Sequence, residues 1–321
     1  MNFQTKIPLS KQSNNLIDYE SNILLLGSCF VENIGEKLDY YKYQSVVNPF
    51  GILFHPKAIE TLVENALQGK VYTDNDIFFN NEQWHCYDVH SKLSNTSKEW
   101  LLNDLNGQIK VLRNQVKSSS HIIITLGTSW VYRNIESNQV VANCHKVVQK
   151  DFSKELLSVD NVVGSLQRIV NLIESINTNT SIIFTVSPVR HLKDGFVENN
   201  QSKAHLITGI HQFLSQQSLV KNFNSFYFPS YEIMMDELRD YRFYNEDMIH
   251  PNQTAVNCIW EKFNEVWMTS EAQKTMEEVG SVQKGLQHKS FNPNSEAHQK
   301  FLQNLKEKQK QLQSEFPHIS F

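Results

Sequence analysis

Short apolar runs punctuate the chain, and the spaces between them carry helical patterns. The runs are NILLLG (22–27), YQSVVN (43–48), HIIITLG (121–127), SIIFTV (181–186) and FYFPSYEIM (226–234). Runs apolar on both faces suit strands covered by helices on each side, whereas a sheet with one wet face alternates. Residues 30–39, 56–68, 97–118, 153–176 and 200–218 read as the intervening helices. This β-α-β-α rhythm predicts an α/β fold, a three-layer α/β/α sandwich around a mostly parallel five-stranded sheet. In such folds the working residues collect at the carboxyl ends of the strands.

Two segments interrupt the rhythm. Residues 71–95 read as a hairpin turning at Asn80-Asn81, and residues 130–143 as another turning near Ser137-Asn138. Both leave the sheet near its carboxyl edge and are expected to wall a site. Past about residue 270 the chain turns polar, and 294–313 reads as a charged helix with a thin stripe of Phe301, Leu302 and Leu305. The expected division is a catalytic domain over 1–268 and a helical appendage over 269–321, packed on that domain or on a second copy as a homo-oligomer.

Composition sets the surroundings. A chain of 321 residues buries a sizeable core without disulfides or metal. No run approaches the ~20 apolar residues of a membrane span, and the first residues lack the apolar core of a signal peptide, so a cytoplasmic setting is expected. A net charge of -4 gives no electrostatic reason to expect nucleic acid. Cys29, Cys86, Cys144 and Cys258 form no CxxC pair and fit reduced thiols.

The chemistry centres on LLLGSCF (24–30). Gly27 supports a sharp turn from strand to helix, and Ser28 falls at the helix amino terminus among unpaired N–H donors. That place suits a nucleophile whose reaction makes an oxyanion; it equally suits a plain helix cap. Far along the chain, NEDMIHPN (245–252) sets Asp247 three residues before His250, ahead of a helix opened by Pro251. One turn of chain brings carboxylate and imidazole together, and a histidine so oriented is the base that a serine hydroxyl needs.

With GSCF at 27–30, VNPFGILFHP at 47–56, TLGTSWVY at 125–132, VANCHK at 141–146, TVSPVRH at 185–191 and DMIHPN at 247–252, the sequence resembles the GSCFA domain family, a branch of the SGNH (GDSL-like) hydrolase superfamily. The resemblance covers roughly residues 20–265. It implies a flavodoxin-like sandwich and ester or acyl hydrolase chemistry. By the same resemblance Ser28 matches the nucleophile and supplies one oxyanion donor through its N–H, His250 matches the base and Asp247 its orienting partner. Gly51 matches a glycine whose N–H is a second donor. The superfamily's third donor is an asparagine in G-x-N-D, where this chain reads Gly127-Thr128-Ser129-Trp130. Either Ser129 through its hydroxyl or Asn143 through its amide is expected to fill that place.

The remaining polar residues divide between site and scaffold. Cys29 is expected to pack behind the turn rather than act as nucleophile. Cys86, Asp88 and His90 share one face of an extended segment but lack a fourth ligand, so no metal is expected. His90, His145, Asn48 and Arg190 are assigned to substrate contact; for Asn48 and His55 holding the loop by hydrogen bonds is the preferred role, and for Arg190 an ion pair competes. No cofactor is called for. The expected activity is a serine hydrolase or acyltransferase acting on an O-acylated small molecule or glycan. The alternative is a non-catalytic protein that binds such a ligand.

Overall fold

The computed structural model describes residues 5–217 and 224–321. Along the chain run β1 (Asn22–Gly27), α1 (Cys29–Tyr40), β2 (Gln44–Val47), α2 (Pro56–Gln68), β3 (Phe78–Asn80), β4 (Gln83–His85), α3 (Lys98–Ser118), β5 (His121–Leu126), β6 (Trp130–Asn134), β7 (Val140–Val141), β8 (Phe152–Leu156), α4 (Val159–Glu174), β9 (Ser181–Val186), α5 (Phe196–Gln217), β10 (Ser225–Tyr227), α6 (Ser230–Glu232), α7 (Gln253–Trp267), α8 (Ser270–Gln287) and α9 (Glu296–Glu315). The central sheet has the order β10-β9-β5-β1-β2 and every neighbouring pair is parallel. Strand order therefore reverses between β1 and β5, the topological switch point where open α/β sheets bind ligands.

Successive residues of each central strand feed opposite layers, as the two-residue period requires. Leu24, Leu26, Ile122, Ile124, Ile182 and Phe184 pack against α2, α3, α4 and α5. Ile23, Leu25, Ile123 and Ile183 pack against α1, α7, α8 and α9. The result is the expected three-layer sandwich, and β5 and β9 are buried at every position.

Several expected elements differ in the structure. The run at 226–234 is strand only over Ser225–Tyr227; past Pro229, which lacks an N–H for a ladder, the chain winds into α6 and a π-turn over Ile233–Glu237. The helix expected over 153–176 begins at Val159, where Ser158 and Asn161 form a reciprocal cap. Its first residues instead form β8, antiparallel to β6, and with β7 they make a second, three-stranded sheet. The helix expected over 200–218 begins at Phe196, and Ser218 lies outside the described residues.

Both interrupting segments are hairpins. The first turns at Asn81-Glu82, one residue later than expected, with both residues at positive φ as a two-residue turn requires. At the other end of the chain, Ala272, Val279, Val282, Leu305, Leu312 and Ile319 join the same core layer as α1 and α7. Of the stripe expected on α9, Leu305 is buried against its own chain near Gly285, while Phe301 and Leu302 stay largely exposed. No helix among the described residues is long and apolar enough to cross a membrane.

Candidate active site

The crevice at the switch point is bounded by the ends of β1 and β5. Gly27 pairs with Thr125 across the two strands, and its φ of 136° with a would-be Cβ 2.1 Å from the Thr125 carbonyl admits only glycine. Ser28 follows as the N-cap of α1, but its side chain makes no capping hydrogen bond. Its Oγ is fully buried and has no hydrogen-bond partner. The capping role is therefore not taken up, and the hydroxyl is buried rather than presented to solvent.

A cleft of about 830 Å³ opens above, lined by Cys29, Thr128, Asn143, Arg190, His191 and His250 among others. Cys29, expected behind the turn, faces this cleft, because the first residue of α1 turns outward as Ser28 turns in. Burial pushes the Cys29 thiol up, so it is held as the thiol. The cleft's far wall is the second hairpin, contributing Trp130, Tyr132, Val141 and Asn143. The first hairpin stands behind it as a brace rather than a wall: Asn80 Nδ2 donates to the His145 carbonyl and Ala142 N–H to Tyr87 O.

The Asp247–His250 pair forms as expected. His250 Nδ1 lies 2.7 Å from Asp247 Oδ2, while the backbone N–H groups of Ile249 and His250 donate to Oδ1 at 2.9 and 3.0 Å. These bonds, the His250 N–H first and its ring second, hold the Asp247 carboxyl down at about 2. With Asp247 on Nδ1, the Nε2 of His250 is left for a substrate or nucleophile. Ser28 is not bonded to it in this structure.

The oxyanion donors are arranged differently from expectation. The Ser28 N–H donates to Thr125 O at 3.0 Å, and the Gly51 N–H donates to Asn48 O at 2.8 Å. Gly51, at φ 73°, packs against His90 and turns away from the cleft. Ser129 is fully buried, its hydroxyl donating to the Ser202 carbonyl at 3.1 Å and its N–H to Ser202 Oγ at 2.7 Å. It bolts the turn after β5 to α5 and does not reach the cleft. Asn143 does line the cleft, and because its Oδ1 accepts the His145 N–H at 2.8 Å, the amide nitrogen is the end left over.

Three of the residues assigned to substrate contact serve the scaffold. Asn48 Oδ1 accepts the Gly27 N–H at 2.8 Å and so fixes the turn that carries Ser28. His145 is buried, with Nε2 donating to Cys86 O at 2.7 Å, and is absent from the cleft wall. His90 accepts the Lys92 N–H and braces the Gly51 loop. Cys86 lies in the core, and Asp88 is taken by Lys70, Tyr72 and Asn65, so the shared face of the sequence reading holds no open ligand set. His55 caps α2 through Nδ1, which fixes its Nε2 as the donor to Val141 O.

Two groups that the sequence reading left unassigned stand beside Ser28. A Cβ built on Gly127 would lie 2.9 Å from His191 Nε2 and 3.2 Å from Ser28 Cβ, so the two side chains flank one small space over a glycine. His191 Nε2 is itself buried without a partner, and burial together with Lys203 and His250 pushes the ring down to about 3. Beneath them Lys203 is almost wholly buried, donating to Gly127 O and Ser187 O at 2.7 Å each. No carboxylate pairs with it among the described residues, and burial lowers it to about 7. It joins the carboxyl ends of β5 and β9 under the cleft.

The profile of the GSCFA family matches residues 22–263, and that of the GSCFA domain protein C-terminal domain matches residues 279–321. No curated protein matches the sequence. Among solved structures, an acetyl xylan esterase (Est2A) from the rumen bacterium Butyrivibrio proteoclasticus superposes with a TM-score of 0.39 at 11% identity, over 78% of this chain and 64% of that one. The chain thus spans less than two thirds of that esterase, and the likeness is too slight to carry its activity across. The family match covers the whole sheet and the loops that hold Ser28, Asp247 and His250, and on it this chain belongs to the GSCFA family.

Proposed function

We propose that the protein is a serine hydrolase of the SGNH type, cleaving an O-acyl ester through an acyl-enzyme on Ser28. The observation that carries this reading is the idle hydroxyl: Ser28 sits at a helix N-cap yet does not cap, and its buried oxygen has no other partner. A buried unsatisfied polar group costs roughly 1–3 kcal/mol, so its place at the switch point asks for a use. In the reaction Ser28 rotates toward the cleft, where His250 Nε2 accepts its proton as Oγ attacks the ester carbonyl. The ring returns that proton to the departing alcohol. It then takes a proton from water, whose oxygen attacks the acyl carbon and releases the acid while Ser28 regains its hydrogen.

The oxyanion is held by side chains in this account, since both expected backbone donors are engaged elsewhere. Asn143 Nδ2 is one donor, and His191, neutral at working pH, donates from Nε2 as the second. A neutral imidazole in that role is a known device for polarising a carbonyl. Lys203 lies under the same floor and favours developing negative charge there. With an alcohol other than water at the acyl-enzyme, the same residues perform acyl transfer.

The test is hydrolysis of a small aryl acetate by the parent protein, Ser28→Ala and Cys29→Ala. Activity should vanish in the first variant and persist in the second; loss in Cys29→Ala alone would move the nucleophile. The occupied N–H groups and the open Ser28–His250 gap favour a second reading, a non-catalytic protein that binds an acylated ligand in the same cleft. Ligand binding without turnover by the parent protein would establish it.

A further inference from the structure

The charges of the cleft are unequal. Lys146, Arg190 and Lys193 line it, while its one lining carboxylate, Asp194, is neutralised by Lys154 at 2.6 Å. A chain of net charge -4 thus sets three cations, none in an ion pair among the described residues, along this cleft, and Arg190 stands where it meets a second cleft of about 560 Å³ lined also by Tyr241 and Tyr244. Arg190 is the fixed one. Its Nη2 donates to the Tyr244 hydroxyl at 3.1 Å, and its guanidinium lies over the rings of Tyr244 at 4.5 Å and Tyr241 at 5.6 Å. No carboxylate pairs with it among the described residues, so the structural ion pair weighed from sequence is not made. The Arg190 backbone N–H donates to the Ile249 carbonyl, which ties the residue to the loop of Asp247 and His250.

From this geometry we infer that the substrate carries an anionic group, a carboxylate or a phosphate, that Arg190 receives beside the ester cleaved at Ser28. The inference rests on the hydrolase reading and names its substrate class. A guanidinium held flat by aromatic rings presents its remaining N–H groups as a fork, the geometry that matches carboxylate and phosphate oxygens. Lys146 and Lys193 are exposed at the rim and add attraction without geometry. The alcohol side of the ester is the natural carrier, because Val141, Val147 and Phe152 give the cleft an apolar lining suited to the acyl group.

The test compares three probes: acetylated glucose, acetylated glucuronic acid and acetylated glucose 6-phosphate, with acetate release as the readout. The parent protein should favour at least one anionic ester over the neutral one by about tenfold or more in kcat/KM, and the two anionic arms tell carboxylate from phosphate. That preference should shrink as salt is raised. In Arg190→Met the ratio should fall toward one, and Arg190→Lys should retain part of it. Equal turnover of all three probes, or a preference that survives in Arg190→Met, would overturn the inference while leaving the hydrolase reading standing. No turnover of any probe or of an aryl acetate, with Ser28 unlabelled by a fluorophosphonate, would overturn both.

Discussion

Ser28 occupies a helix N-cap without capping, and this gives a mutational signature that separates catalysis from scaffold. An N-cap serine replaced by alanine ordinarily costs about 1 kcal/mol; here no cap bond exists to lose, and the buried oxygen is unpaired. Ser28→Ala should therefore leave the unfolding free energy from urea titration within about 0.5 kcal/mol of the parent while abolishing ester hydrolysis. Asn143→Ala and His191→Ala should each lower kcat by about a hundredfold or more and change KM little, because both bonds strengthen only as the oxyanion forms. Asp247→Asn should slow turnover strongly without unfolding. The Asp247 carboxyl, held down at about 2, keeps its charge in the fold until pH approaches that value, while the stability this confers fades as pH falls from the ordinary carboxylate range toward 2. Ser28 and the Asp247–His250 pair were legible because each is local in sequence. His191 and Lys203 were not assigned, because their meaning lies in contacts with Gly127, 64 and 76 residues away. One signal was present for Lys203: it falls on the buried stripe of Asn199, Leu206, Ile210 and Phe213, where a lysine has no ordinary reason to be.

Among the elements, the turn from β1 into α1 is the least tolerant of change. Gly27→Ala would push a methyl into the Thr125 carbonyl at a φ of 136°, and should destabilise the protein by roughly 2–3 kcal/mol or more and displace Ser28. The expected result is a lowered urea midpoint together with lost hydrolysis. The central strands were legible from their doubly apolar runs, as burial at every position of β5 and β9 explains. The run SKEL (153–156) reads from sequence as part of the following helix because its outward positions are polar and it passes without a break into an amphipathic pattern. Ser158 and Asn161 marked the true start. The strand order and the brace between the two hairpins depend on contacts such as Asn80 with His145, which no local pattern encodes.

At the scale of the whole molecule, imidazoles kept neutral by burial set the acid limit of stability. Burial pushes His55 and His145 down to about 4 and His191 to about 3, against an ordinary value of 6.5. All three are neutral in the fold and protonated in the unfolded chain between those limits, so the unfolded state binds more protons there and stability rises with pH. Thermal melts should show a Tm that falls as pH is lowered from about 6.5 toward 4, with a shallower fall in His145→Gln. The intact chain is also the right object for the decisive experiment, because α8 and α9 complete the core layer on which α1 and its serine rest. That experiment is reaction of the full-length protein with a fluorophosphonate, followed by mapping of the modified residue by mass spectrometry. The account predicts a single adduct on Ser28, slowed in Asp247→Asn; an adduct on Cys29, or an unmodified protein that still binds acyl esters, would contradict it.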